Sequence, residues 1–163
     1  MILHATIQDL MIIDLLAKDV IQDMETAKIP QWKEGYPAYI DFLKDFEVKG
    51  LYVYKENHQI KGSITILEEN ELAYKTIDSW QKEKSIVIHR LLVDPKARQQ
   101  GIAQKLLNHA IKMAEEKSYE SIKIDTHIEN YKMRKFLEKN GFKKLEYLKI
   151  IDRLAYEKVL EDS

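Results

Sequence analysis

The chain contains no cysteine. That excludes a disulfide framework, a thiolate metal site and a covalent thioester on the protein, whatever the compartment. Glycine and proline are scarce, at five and three in 163 residues, and they stand as single punctuation marks. No linker separates one part of the chain from another, so residues 1–163 read as one domain. An excess of one charge is also missing: 26 Lys and Arg face 27 Asp and Glu. Without that excess there is no bulk attraction to phosphate backbones, and nucleic acid is not an expected partner. No apolar run approaches the ~20 residues that span a bilayer, so no membrane partner is expected. The Ile- and Leu-rich start lacks a basic flank and is interrupted by Asp9 and Asp14, unlike a signal peptide. The expected location is the cytoplasm, and nothing in the composition excludes a homodimer.

What is present is enough apolar residue for a core, 45% of the chain, in an order that can be read as elements. A strand at residues 2–5 leads to a helix at 7–24, whose Leu10, Ile13, Leu16, Ala17 and Val20 recur at helical spacing. Pro30, Gly35 and Pro37 break the chain before a helix at 38–46. Residues 51–54 and 60–67 form a hairpin around Asn57-His58, followed by a turn at 68–71. Alternation is weaker over residues 72–77. Ser85–Val93 is almost continuously apolar, as a central strand should be. Gly101 opens a helix to residue 117, Ser121–Thr126 is the next strand, and a helix at 130–140 stops at Gly141. Residues 142–151 and 154–159 close the chain as strands. This order predicts a mixed sheet with helices, in which Ser85–Val93 and Ser121–Thr126 are parallel through a right-handed crossover.

Ligands of such sheets bind at the carboxyl ends of strands. There the stretch from Val93 to Lys105 places a strand end, a tight loop and a helix start in thirteen residues. The first N–H groups of a helix lack intrahelical acceptors, the helix dipole adds positive charge, and Gly101 and Ala103 are small enough to admit a diphosphate. The stretch lacks the Gly-Lys-Ser/Thr of a Walker loop and the further glycines of a dinucleotide fingerprint. An ordinary helix start with Gly101 in a turn is the plain alternative.

Arg98-x-x-Gly101-x-Ala103, after a strand ending Leu91-Leu92-Val93-Asp94-Pro95, resembles the pyrophosphate loop of the GNAT superfamily of acyl-CoA-dependent N-acyltransferases. Asn130, with Gly141-Phe142 eleven and twelve residues on, resembles the Asn-x10-Gly-Phe helix of the same family. The resemblance implies an α/β (α+β) fold: a single GNAT-like domain, a mixed twisted sheet of about six to seven strands flanked by about four helices, and splayed central parallel strands. It implies an acetyl-CoA cosubstrate in the cleft between Val93 and Thr126. Leu92 and Val93 would pair with the pantetheine through their backbones. Backbone N–H groups from Arg98, Gln99, Gln100, Gly101, Ile102, Ala103 and Gln104 would hold the diphosphate. The Asn130 side chain would bond the pantetheine arm and Met133 would pack beside it. A plain helix cap is the other reading of Asn130.

Acyl transfer to an amine needs the amine neutral, and an alkyl ammonium at pH 7 is deprotonated only about once in 10³ molecules. By the same resemblance Asp125 and His89 occupy positions where family members carry a catalytic glutamate; simple hydrogen bonding within a strand is the alternative for each. The resemblance also places a thiolate-protonating tyrosine seven residues after Asn130, where this chain has Leu137. Trp32, Tyr36 and Tyr39, with Asp78 and Trp80, could hold a cationic amine acceptor or could be satellite core. No His or carboxylate spacing suggests a metal. The expected activity is direct transfer of an acetyl group from acetyl-CoA to a primary amine of a small molecule or protein. A CoA-binding regulatory module that has lost catalysis is the alternative.

Overall fold

The computed structural model describes residues 1–68 and 71–161. Its elements are β1 Ile2–His4, α1 Leu10–Thr26, α2 Tyr39–Glu47, β2 Leu51–Glu56, β3 Gln59–Leu67, β4 Ser85–Val93, α3 Ile102–Glu116, β5 Ser121–Thr126, α4 Tyr131–Lys139, β6 Lys143–Leu148 and β7 Arg153–Val159. The strands form one seven-stranded sheet in the order β1-β2-β3-β4-β5-β7-β6, with β4 and β5 parallel as expected. Two compact units divide the chain: Met1–Ile66 with His89–Ala110, and Leu67–Ile88 with Ile111–Ser163. Both β4 and α3 pass from one unit into the other. Among the described residues no helix is long and apolar enough to cross a membrane.

In the first unit, Asn57 and His58 take φ of 53° and 65°, the left-handed geometry that lets a two-residue turn follow the twist of its strands. The hairpin of β2 and β3 results, with Leu51 opposite Thr65 and β1 added along β2. The predicted helix at 7–24 begins as a 3-10 turn, Ile7–Asp9, in which the Asp9 carboxylate accepts from the Thr6 N–H at 2.8 Å. Leu10, Ile13, Ala17 and Ile21 form the buried stripe of α1 and share a core with Phe42, Leu51, Val53, Ile60 and Leu92. Gly62 fixes the approach of α3. A Cβ there would stand 3.0 Å from Ile102 Cγ2, 3.1 Å from Leu106 Cδ1 and 3.1 Å from the Leu92 carbonyl. Only a missing side chain lets the helix start pack so close to β3.

In the second unit, β5 pairs with β4 over Ser85–Val87 and with β7 along its whole length, from Ser121 opposite Val159 to Thr126 opposite Leu154. Tyr74, Ile77, Val87, Leu148 and Ala155 make its core, with Trp80, Leu145 and Ile151 packed against them. Glu157, 1% exposed, is held by the Ser121 hydroxyl at 2.7 Å and by the Gln81 and Lys82 N–H groups. Residues 72–77 are not a strand. Leu72–Thr76 is a 3-10 turn that buries Ala73 and Tyr74 and leaves Leu72 exposed. Part of the expected turn at 68–71, residues 69 and 70, lies outside the described residues.

Candidate functional site

The loop after β4 is built by its own backbone. The Asp94 N–H donates to the Lys61 carbonyl at 2.8 Å, while Asp94 Oδ1 accepts from the Lys96 N–H at 3.0 Å. Pro95–Ala97 makes a 3-10 turn and Ala97 is buried. The chain then turns through two left-handed positions, Gln99 at φ 63° and Gly101 at φ 74°. The first bond of α3 runs from the Lys105 N–H to the Gly101 carbonyl at 3.0 Å. The N–H groups of Ile102 and Ala103 precede it and face out of the helix end, where the dipole adds positive charge. A Cβ on Gly101 would meet no atom within 4 Å, so the space beside this glycine is open to a ligand. Gln99, Gln100 and Gly101 are exposed and Gln104 is half-buried, its amide donating to Asn108 at 3.0 Å. Leu92 is buried in the first unit's core, so it can offer a ligand only its backbone; Val93 is half-buried. A diphosphate fits this donor set.

Arg98 is turned toward α1, where its guanidinium pairs with the Asp23 carboxylate. Asp23 also lines an open cleft of about 290 Å³ with Asp19, Asp94 and Lys96.

Within β4, His89 is 8% exposed. Burial, reinforced by the neighbouring Arg90 charge and partly offset by Asp45, lowers its pKa from 6.5 to about 4. The imidazole is therefore neutral at pH 7, and it is a weaker base than an unperturbed histidine. Arg90 sits at φ 46° and forks onto Asp45, with Nε and Nη2 each 2.6 Å from a carboxylate oxygen. Burial opposes the guanidinium charge, yet the hydrogen bonds and charge of Asp45 outweigh it and hold its pKa above the ordinary value. The Thr65 hydroxyl donates to the same carboxylate at 2.7 Å, and Arg90 Nη1 donates to the Tyr36 hydroxyl at 3.1 Å. The aromatic candidates divide. Tyr36 and Tyr39 are exposed, whereas Trp32 is 7% exposed and belongs to the core beside Phe42.

In the second unit Asp125 is half-buried and accepts from the Tyr74 hydroxyl at 2.6 Å. Tyr74 is 1% exposed. Burial first, then the charges of Asp125 and Glu71 with the Asp125 hydrogen bond, push its phenol well above the usual tyrosine range. Asp78 is exposed nearby in sequence. Asn130 caps α4 by accepting from the Met133 N–H at 3.2 Å, and Met133 is half-buried. Leu137 is fully buried, so its position serves packing, while Tyr131 is 65% exposed.

Two features escaped the sequence reading. A charged residue in an apolar strand, Arg90, signals a buried acid, but no spacing names Asp45. Nothing local to Tyr74 points to Asp125, fifty-one residues away.

A family profile described as Acetyltransferase (GNAT) family matches residues 17–142. The crystal structure of an acetyltransferase of the GNAT family from Streptococcus agalactiae is similar at TM-score 0.88 and 25% identity, over 99% of this chain and 96% of that one. The PaiA N-acetyltransferase of Thermoplasma acidophilum, crystallised in complex with coenzyme A, is similar at TM-score 0.76 and 18% identity, over 98% of both chains. The ribosomal-protein-alanine N-acetyltransferase of Brucella melitensis is similar at TM-score 0.71 and 18% identity, over 98% of this chain and 99% of that one. The last two likenesses are of fold. No curated protein matches the chain.

Proposed function

The chain belongs to the acetyltransferase (GNAT) family, and on that premise we propose that it transfers an acetyl group from acetyl-CoA to a primary amine by direct attack. The observation that carries this reading is the loop from Arg98 to Gln104, with its open glycine at φ 74° beside the start of a fifteen-residue helix. Its backbone N–H groups are the donors for the diphosphate. Leu92 and Val93 offer main-chain groups to the pantetheine. Asn130 serves twice, as helix cap and as a polar contact for the pantetheine arm, with Met133 beside it. Bound acetyl-CoA supplies the activated acetyl thioester; the residues of the chain bind, orient and deprotonate.

Asp125 and His89 share the deprotonation of the amine. His89 is neutral at pH 7 and free of the charge that would repel an ammonium, and Asp125 is the stronger attractor of one. His89→Ala and Asp125→Ala each lower kcat/KM by ~10-fold or more, and their effects do not add, because they serve one relay. The thiolate of CoA is a tolerable leaving group with a thiol pKa near 8.5, so it leaves without a tyrosine at position 137. Tyr36 and Asp78, both exposed, are the acceptor contacts of this reading. Trp32, read as a further acceptor contact in the sequence, lies in the core beside Phe42. The location is the cytoplasm.

The rival reading, a CoA-binding module without catalysis, rests on Leu137. That residue is fully buried and reports on packing. Incubation of the protein with acetyl-CoA and a panel of amines, followed by thiol release, separates the two. Amine-dependent release with an acetylated amine in the mass spectrum is the expected result; CoA binding with no release for any amine would establish the module.

A further inference from the structure

Tyr74 takes no part in the reaction described above, yet it is one of the largest fully buried side chains and its hydroxyl ends on a proposed catalytic group. We propose that Tyr74 is a positioning residue for the Asp125 carboxylate, holding one oxygen so that the other takes the ammonium proton. The inference rests on the reading of Asp125 as a base of acetyl transfer.

The geometry is that of a fixed donor. The Tyr74 Oη to Asp125 Oδ2 separation of 2.6 Å is the short range of a charge-assisted O–H···O⁻ bond. Three further contacts hold the residue, two through its backbone and one through its ring. The Tyr74 N–H donates to the Glu71 carbonyl at 3.0 Å, and the Tyr74 carbonyl accepts from the Trp80 indole N–H at 2.7 Å. The two rings lie 4.9 Å apart, and Ile77, Val87, Leu148 and Ala155 close the remaining sides. Swinging the phenol away would break this packing, so the carboxylate is held by a group that cannot follow it.

The charges about Asp125 explain why such a donor is useful. A carboxylate oxygen of Glu71 lies within 4.8 Å of one of Asp125, and like charge favours the protonated acid. Lys123, two residues earlier on the same strand face, places its ammonium 4.9 Å from the Trp80 ring. Glu157 of β7 is in register with Lys123, and the residue of β7 opposite Asp125 is the uncharged Ala155. Donation from Tyr74 favours the ionised form of Asp125 against Glu71. Because burial and then the charges of Asp125 and Glu71 push the phenol well above its usual range, Tyr74 stays a donor across the working pH. One proton moves from the substrate ammonium to Asp125, leaving a neutral amine and a protonated acid. The phenol keeps its own proton.

The test compares kcat/KM against pH for the wild type, Tyr74→Phe and Asp125→Asn, using acetyl-CoA and the best amine of the panel. For Tyr74→Phe, kcat falls ~10-fold, KM for acetyl-CoA stays within about twofold, and the acidic limb moves up by about one pH unit. The shift persists in a His89→Ala background, needed because His89, with a pKa of about 4, also titrates on the acidic side. Trp80→Phe, which removes the indole donor to the Tyr74 carbonyl, moves rate and limb in the same direction by less, so the test survives a Tyr74→Phe protein that fails to fold. If Asp125→Asn is slow while the limb stays in place in both aromatic variants, Tyr74 is only a packing residue and the proposal is overturned. If Asp125→Asn keeps the wild-type rate, the reading of Asp125 as base fails, and the proposal with it.

Discussion

Arg90 donates to both oxygens of Asp45, each at 2.6 Å, from a strand position at φ 46° next to His89. The ion pair is largely buried, with side-chain exposures of 14% and 4%. Burial first, and then the charge of Arg90, makes the His89 imidazole hard to protonate, while Asp45 offsets only part of the effect.

The first prediction concerns stability against pH. His89 has a pKa of about 4 in the native protein and 6.5 in the unfolded chain, so between those values the unfolded chain binds the proton and the native one does not. Stability contributed by the neutral imidazole is full above pH 6.5 and is lost as pH falls toward 4, by about 3 kcal/mol. Denaturant melts at pH 7 and pH 4 should show this loss in the wild type and a smaller one in His89→Gln. Equal losses in the two proteins would contradict the burial of a neutral His89.

A second prediction follows from Arg98. Its guanidinium is paired with Asp23, so freeing it would add a side-chain donor to the backbone donors of the loop. The pair is about two-fifths exposed on each side, so it is worth only ~0.2–1 kcal/mol. Asp23→Asn should therefore tighten CoA binding by about two- to fivefold, read by titration calorimetry at low salt. Weaker binding in a folded variant would mean that Asp23 helps to form the site.

Leu137 gives a third. The sequence reading treats this position as the place of a missing acid, and a tyrosine there would leave activity similar or raise it. The structure buries Leu137 completely, where a larger polar side chain costs ~1–3 kcal/mol through overpacking. Leu137→Tyr should lower the melting temperature and give no gain in kcat. A stable, faster variant would show that position 137 opens to the substrate.

Much of this was legible along the chain, for a physical reason. Strands β4 and β5 both have the expected bounds; β4 was legible because a strand buried on both faces needs nearly continuous apolar sequence, whereas β5 carries only Ile122 and Ile124 between polar residues. The turn into α3 was legible because its geometry is local, one left-handed glycine at the helix start. The failures are non-local. Residues 72–77 alternate only weakly, and they form a 3-10 turn with one buried side. Trp32, left open between acceptor contact and satellite core in the sequence, is core, since an aromatic pattern does not say which way a loop folds. Tyr74 and Asp125 meet only because their elements pack, and Gly62 is required only because α3 starts against it.

The central claim is that the loop at Gly101 receives the phosphates of CoA, and titration of CoA into wild-type and Gly101→Val protein by calorimetry tests it most directly. A Cβ there meets no protein atom within 4 Å, so the added Cβ enters ligand space without a clash; the left-handed φ of 74° adds ~1–3 kcal/mol of backbone strain, which a parallel melt measures. The account predicts a folded Gly101→Val protein with no detectable CoA binding beside a wild type that binds. Unchanged CoA affinity in that folded variant would contradict it.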